Sequence, residues 1–340
     1  MNGLTFEEAL RLDKPIFIDV RAPVEFNEDH IPGAMNMPLF NDAERADIGT
    51  IYRNSGKYEA VAKGSAYAGA KIDGMVKEIR DLSERGSVII NCFRGGMRSE
   101  ALVSLLNSLD IPVHKLEGGY KAYRRLVMER FRDLVISPPA FVLHGLTGTG
   151  KTQILHNIKQ SIDLEGMAGH RSSVFGGIGL EKKTQKMFES LLLHRIDELR
   201  DADYAVIEGE SRKIGDLHLP PPVYAAITES PGIMITAPME RRVRILLDEY
   251  MKNSRAGEVL SIVESLESRI GGKNVTLLRD LFRGDKLEEF AQFVLEKYYD
   301  PLYLHTLKKI EYFAVIENLN SAAAAGEVEE AVVRCLKRKV

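Results

Sequence analysis

Cys92 stands directly after an apolar run, Val88-Ile89-Ile90-Asn91, and opens the stretch Cys92-Phe93-Arg94-Gly95-Gly96-Met97-Arg98-Ser99. A thiol attacks as its thiolate, so the surroundings decide what it can do. Gly95 and Gly96 let backbone N–H groups turn inward as an anion nest. A helix starting near Ser99 adds the positive end of its dipole. Arg94 and Arg98 add two fixed cations. Together these groups depress the thiol pKa and hold an oxyanion delivered to the thiolate. An inert strand-end cysteine would leave two arginines and two glycines in the next six residues unexplained.

A second chemical signal is Gly145-Leu146-Thr147-Gly148-Thr149-Gly150-Lys151-Thr152, which fits G-x-x-x-x-G-K-[ST]. It follows the apolar run Phe141-Val142-Leu143-His144 and opens a helical pattern over Lys151 to Lys159, the context that lifts it above a glycine-rich turn. Gly145, Gly148 and Gly150 let backbone N–H groups wrap a diphosphate, with Thr147 inside the loop. Lys151 reaches its terminal phosphate and Thr152 ligates Mg2+, the expected cofactor. A partner carboxylate is expected at another strand end, and Tyr204-Ala205-Val206-Ile207-Glu208 supplies one, with Glu210 and Arg212 close behind. Glu208 or Glu210 could hold the metal through water; surface acids after a buried strand are the bland alternative. The loop alone does not choose among ATP, GTP and a prenyl diphosphate. Neither a kinase signature set nor a guanine-reading N-K-x-D motif is present.

The elements that must position these groups follow from patterning. The chain has 340 residues, 44% hydrophobic and 28% charged, ordinary for a folded protein and enough for two domains. Short β-branched runs (Pro15 to Val20, Gly86 to Asn91, Pro112 to Gly118) alternate with helical patterns, starting with a capping box at Thr5 and Glu8. That alternation predicts a parallel α/β sheet. Ser137-Pro138-Pro139 marks a boundary, giving domains 1–136 and 137–340. Beyond it, strands over Ala140 to Leu143, Asp203 to Glu208 and Gly232 to Pro238 are expected, with a loop at Pro220-Pro221-Pro222. A mostly helical C-terminal region is expected from Glu240 onward, with a last helix near Gly326 to Leu336. The absence of a long apolar run and of a signal peptide, and only two cysteines, point to a cytoplasmic protein with no membrane partner. Net charge is −3, so any nucleic-acid contact must come from local patches. Lys121, Arg124 and Arg125 lie within one run of bases, and Arg241 and Arg242 within another; a solvated helix face explains either equally well.

Asp19-Val20-Arg21-Ala22-Pro23-Val24-Glu25-Phe26, then His30-Ile31-Pro32-Gly33-Ala34-Met35-Asn36-Met37-Pro38, resemble the paired signature of rhodanese domains. Leu116-Glu117-Gly118-Gly119-Tyr120 resembles their later glycine pair. The resemblance spans about residues 4–132 and implies a doubly wound rhodanese fold, a parallel sheet with helices on both faces, with Cys92 as the chalcogen-carrying nucleophile. Five residues separate Cys92 from Arg98, one more than in the common sulfurtransferase loop. That spacing is also the cysteine-phosphatase spacing, and it suits a larger anion such as a phosphate ester or selenophosphate.

A rhodanese domain fused to a phosphate-loop domain resembles the tRNA 2-selenouridine synthase family. Asp163-Leu164-Glu165-Gly166-Met167-Ala168-Gly169-His170-Arg171-Ser172, Glu208-Gly209-Glu210-Ser211-Arg212-Lys213-Ile214-Gly215 and Tyr298-Tyr299-Asp300-Pro301-Leu302-Tyr303 are similar to that family's segments. Gly209 stands where the family has Asp, and Ser172 where it has Gly. The resemblance implies that the substrate is tRNA with 2-thiouridine at the wobble position. It further implies geranylation of that sulfur from geranyl diphosphate, then replacement of sulfur by selenium from selenophosphate, with a selenophosphate-producing enzyme as an implied partner. His170 and Arg171 are placed near the second site on the same ground. The competing readings are a rhodanese-type sulfurtransferase, or a cysteine phosphatase, with a nucleotide-binding regulatory domain.

Overall fold

The computed structural model describes residues 3–250 and 255–338. It divides into two compact units: Met1–Asp133 with Glu189–Leu191, and Leu134–Phe188 with Leu192–Val340.

The first unit is built on four parallel strands: β1 (Ile16–Asp19), β2 (Met35–Asn36), β3 (Val88–Asn91) and β4 (Val113–Lys115), in the order β2-β1-β3-β4. Every residue of β3 is buried, as expected of a strand covered on both faces. Ile18, Val88, Ile90, Leu102, Leu106 and Val113 form its core. Thr5 and Glu8 close the expected capping box. Two long helices, Asp42–Asn54 and Lys57–Ser83, are inserted before β3.

The second unit carries five parallel strands in the order β11-β10-β5-β7-β6. These are β5 (Ala140–His144), β6 (Ser161–Ile162), β7 (Ala205–Glu208), β10 (Gly232–Thr236) and β11 (Tyr312–Glu317); β8 (Lys213–Ile214) and β9 (Leu217–His218) make a small antiparallel pair. Phe141, Leu143, Val206, Ile233 and Ile235 pack with Ala324, Val328 and Val332 of the last helix, Ser321–Lys337. A separate helical core gathers Val243, Leu246, Val263, Leu278, Phe290 and Tyr299. The chain is thus α/β, a rhodanese-like parallel sheet followed by a phosphate-loop domain with a helical C-terminal region.

Three local expectations are corrected. The tripeptide Pro220-Pro221-Pro222 does not form a loop: Pro221 and Pro222 open the helix Pro221–Glu229, where a missing N–H costs nothing. The helix after the phosphate loop stops at Leu155 rather than near Lys159. The C-terminal region is mostly helical as expected but also includes β11, an edge strand with alternating exposure that was not expected there. No helix among the described residues is long and apolar enough to cross a membrane.

Candidate active sites

In the first unit β3 delivers Cys92 to its C-terminal end, and the helix Met97–Ser108 begins five residues beyond it. The thiol is 3% exposed. Its Sγ lies 3.2 Å from the Ser99 hydroxyl. Burial raises its pKa. The Ser99 side chain, the backbone N–H groups of Ser99 and Arg94, and the Arg98 charge outweigh this, so the pKa is lowered overall. Arg98 is held by Glu25 at 3.2 Å, and Glu25 also faces Arg45 at 3.5 Å. Arg94 is exposed, its guanidinium 5.9 Å from the Phe93 ring centroid.

The loop rests on the helix Gly119–Arg132. The N–H groups of Tyr120 and Lys121 donate to the carbonyls of Cys92 and Phe93, both at 2.9 Å. Gly119 has φ +58°, and a Cβ there would sit 2.2 Å from the Cys92 carbonyl. Gly95, with φ +63°, packs its backbone against the same glycine pair. Arg21 chelates Asp19, its Nη2 2.7 Å from Oδ2, while its guanidinium lies 3.8 Å from the Tyr120 ring centroid. Tyr120 in turn donates to Asp29 at 2.8 Å. The Asp-Val-Arg signature therefore acts at a distance: it fixes the helix on which the thiol loop sits.

In the second unit β5 leads into Gly145 to Gly150, and the helix begins at Lys151. Lys151 Nζ donates to the Gly145 carbonyl at 3.1 Å. The Thr152 hydroxyl donates to Glu208 Oε1 at 3.1 Å, and Glu208 Oε2 accepts the Glu165 N–H at 3.2 Å. Glu165, Glu208 and Glu210 each bring an oxygen within 4.8 Å of the others. Glu208 is wholly buried, and burial first, then the charges of Glu210 and Asp163, push it up to about 8 despite Lys151. Burial likewise raises Glu165 and Glu210. Three oxygen donors beside a hydroxyl suit a hard cation such as Mg2+.

Glu165 was missing from the sequence reading, although its segment resembled the family pattern. The fold brings it to Glu208 from 43 residues away. Two further residues hold the loop from outside. Asn318 Nδ2 donates to the Thr149 carbonyl at 2.8 Å. Arg242 Nε donates to the Thr147 carbonyl at 3.0 Å, and its guanidinium forks onto Asp300 at 3.0 and 2.5 Å. Asp300 follows a single π-helical turn, Leu295–Tyr299. Gly148 backs directly onto Arg242.

The basic residues separate into three groups. Arg241 and Arg242 do not form an exposed face. Arg242 is 5% exposed, and Arg241 donates to Asn318 at 3.1 Å and Ser321 at 2.9 Å. Lys121 and Arg125 are exposed on the helix Gly119–Arg132, whereas Arg124 is half-buried. Arg171 donates to the Ile178 carbonyl at 3.1 Å, and its charge reaches Glu249. His170 packs between Gly176 and Gly215. Arg212 points outward over the Tyr224 ring at 5.8 Å. These three side chains therefore surround the acid cluster less closely than Glu165 does.

Gly209 has a physical reason. A Cβ at this position would lie 2.7 Å from both His144 Nδ1 and the Leu143 carbonyl. His144, at the end of β5, is buried, and burial followed by the Lys151 charge lowers it to about 4, so its ring is neutral.

Fold and sites together define an enzyme class: a rhodanese-like domain bearing an activated thiol, joined to a phosphate-loop domain with a carboxylate cluster. The rhodanese-like domain family matches residues 5–126, and the tRNA 2-selenouridine synthase AAA domain family matches residues 138–325. A tRNA 2-selenouridine synthase of Sulfurovum sp. (strain NBC37-1) is 31% identical, covering 88% of this chain and 90% of the relative. One from Pseudomonas syringae pv. syringae (strain B728a) is 31% identical over 89% and 93%. One from Bdellovibrio bacteriovorus (strain ATCC 15356 / DSM 50701 / NCIMB 9529 / HD100) is 34% identical over 81% and 73%. The chain belongs to the tRNA 2-selenouridine synthase family.

Proposed function

We propose that this protein modifies the wobble uridine of tRNA, replacing the sulfur of 2-thiouridine with selenium through an S-geranyl intermediate. The observation that carries the reading is that one chain of this family holds both a depressed-pKa thiol and a diphosphate cradle backed by acids. In the first step the thione sulfur attacks the allylic carbon of geranyl diphosphate. The C–S bond forms as the C–O bond breaks, and the diphosphate leaves. Lys151 and the N–H groups of Gly145 to Gly150 stabilise the charge that develops on it. Thr152, Glu165, Glu208 and Glu210 offer the donors for Mg2+, which when bound would neutralise that leaving group. In the second step selenium from selenophosphate takes the sulfur's place at the base, and geranyl thiol leaves. In this step the Cys92 thiolate attacks the phosphorus of selenophosphate, whose oxyanion Arg98 and the loop N–H groups hold. The S–P bond forms as the P–Se bond breaks, the hydroselenide released displaces geranyl thiolate from the base, and water then hydrolyses the S-phosphocysteine to phosphate.

A wobble base lies in a loop and is reached by unstacking rather than by opening a duplex. Exposed Lys121 and Arg125 lie on the helix that seats the Cys92 loop, where the phosphates of such a loop would run.

The test incubates the protein with 2-thiouridine tRNA, Mg2+ and geranyl diphosphate, with and without selenophosphate, followed by nucleoside mass spectrometry. Geranylated nucleoside alone in the first tube, and selenouridine in the second, are the expected products. Unchanged 2-thiouridine in both, beside an active selenophosphate control, would refute the reading.

A further inference from the structure

The inserted helices Asp42–Asn54 and Lys57–Ser83 enclose, with the helix Met97–Ser108, an open groove of about 1030 Å³. No residue of Asp42–Asn54 is fully buried, and the facing helix Lys57–Ser83 lines the groove mostly with small residues, among them Ala60, Gly64 and Ala68, with Ile72 at the end of the row. Larger apolar side chains, Phe40, Ile48 and Leu105, line the other walls. The groove is mostly apolar, and it runs up to the thiol loop: Arg98 lines it and also lowers the Cys92 pKa.

We propose that this groove binds the prenyl chain of a base-attached S-prenyl group, holding the modified nucleoside beside Cys92 for the second step. The inference rests on the S-geranyl intermediate proposed above. Its walls suit a flexible hydrocarbon chain, and its volume lies near the top of the ~300–1,000 Å³ usual for small-molecule pockets, enough for a chain and the base that carries it. The charges at its inner end argue against the free prenyl diphosphate as occupant. Arg45 and Arg98 both face Glu25, and Glu100 also lines the groove, whereas a diphosphate demands uncompensated cations or a backbone nest. The exposed Arg53 at the rim is placed for a single nucleic-acid phosphate.

The test uses chemically made anticodon stem-loop RNAs carrying S-geranyl-2-thiouridine or S-methyl-2-thiouridine, titrated against the full-length protein by fluorescence anisotropy. The geranyl RNA should bind at least tenfold more tightly than the methyl RNA. Ala68→Phe and Ala101→Phe, on two different helices lining the groove, should each erase most of that preference. Both should leave affinity for the methyl RNA and geranylation of 2-thiouridine RNA unchanged. Because Ala101 is exposed, its substitution tests the groove even where Ala68→Phe lowers the melting temperature. Equal affinities for the two RNAs in the parent protein, or a preference that survives both substitutions, would overturn the proposal. So would loss of geranylation in the variants with the preference intact, which would make the groove a donor site. Because the geranyl RNA is synthetic, this outcome is independent of whether the enzyme makes it; absence of geranylated product in the parent protein would instead refute the proposed function.

Discussion

At both sites a buried parallel strand runs into a glycine loop and then a helix: Val88–Asn91 into the Cys92 loop, Ala140–His144 into the Gly145 loop. The backbone device is shared, but the surrounding charge is opposite. Around Cys92 the hydroxyl of Ser99 and the charge of Arg98 favour an anion, and the thiol pKa falls despite burial. Around Lys151 three carboxylates crowd together, and their pKa values rise. The first loop creates its reactive anion from its own side chains. The second gathers more carboxylates than one lysine balances, an arrangement that would suit a cation.

The largest expected effect separates the two regions outright. Cys92→Ser should lower selenation by more than about a hundredfold while geranylation continues, and Lys151→Ala should stop geranylation of 2-thiouridine tRNA yet still selenate tRNA supplied already geranylated. Product analysis by mass spectrometry reads both, and loss of geranylation in Cys92→Ser, or of selenation of the pre-geranylated tRNA in Lys151→Ala, would break the division of labour.

Arg242→Ala removes one partner of a buried ion pair and the support of the Thr147 carbonyl, and should cost about 3–5 kcal/mol in a denaturant melt. A change under about 1 kcal/mol, as at an exposed pair, would show that the arginine does not hold the loop.

Glu208 tests the sign of the second site. Its folded-state pKa of about 8 lies above the ordinary value of 4.5, so between these the folded protein binds the extra proton. Stability in chelator should therefore fall as pH rises through that window. Glu208→Gln should raise the melting temperature in chelator at pH 8.5 and shrink the stabilisation that Mg2+ gives. A wild-type melting temperature in chelator that rises across the window would reverse the assignment.

Ser99→Ala should move the half-point of iodoacetamide alkylation of Cys92 to higher pH, since the hydroxyl that stabilises the thiolate is gone. An unmoved half-point would leave Arg98 and the backbone as the sole activators. The smallest effect is expected at the basic helix. Lys121→Ala and Arg125→Ala should each reduce the salt slope of tRNA binding by about 1 and weaken binding a few-fold. An unchanged slope would place the phosphates elsewhere.

Local motifs were legible because each site is one strand, one loop and one helix, continuous in sequence. Cys92, Lys151 and Thr152 needed no long-range contact to be recognised. What held them in place was not legible. Glu165 meets Glu208 from 43 residues away, and Asn318 and Arg242 reach the phosphate loop from 169 and 95 residues away from their partners. The two arginines at 241 and 242 read as a surface cluster because charge is usually solvated, and the partner that buries Arg242 is Asp300, itself visible only as part of a tyrosine-rich motif. Strand β11 escaped notice because an edge strand lacks the continuous apolar run of a central one. The long inserted helices carry alanine and glycine where a core helix would carry leucine, so their patterning did not announce the groove they wall.

The contact between Gly209 and His144 makes two positions interdependent. A Cβ at 209 would meet both the imidazole and the Leu143 carbonyl at 2.7 Å, so the aspartate of the related pattern does not fit at 209 with His144 and this backbone in place. A smaller residue at 144 removes only the imidazole half of that clash, and the strand end must shift to relieve the rest. Exchanges at 144 and 209 should therefore be non-additive, each changing what the other position tolerates.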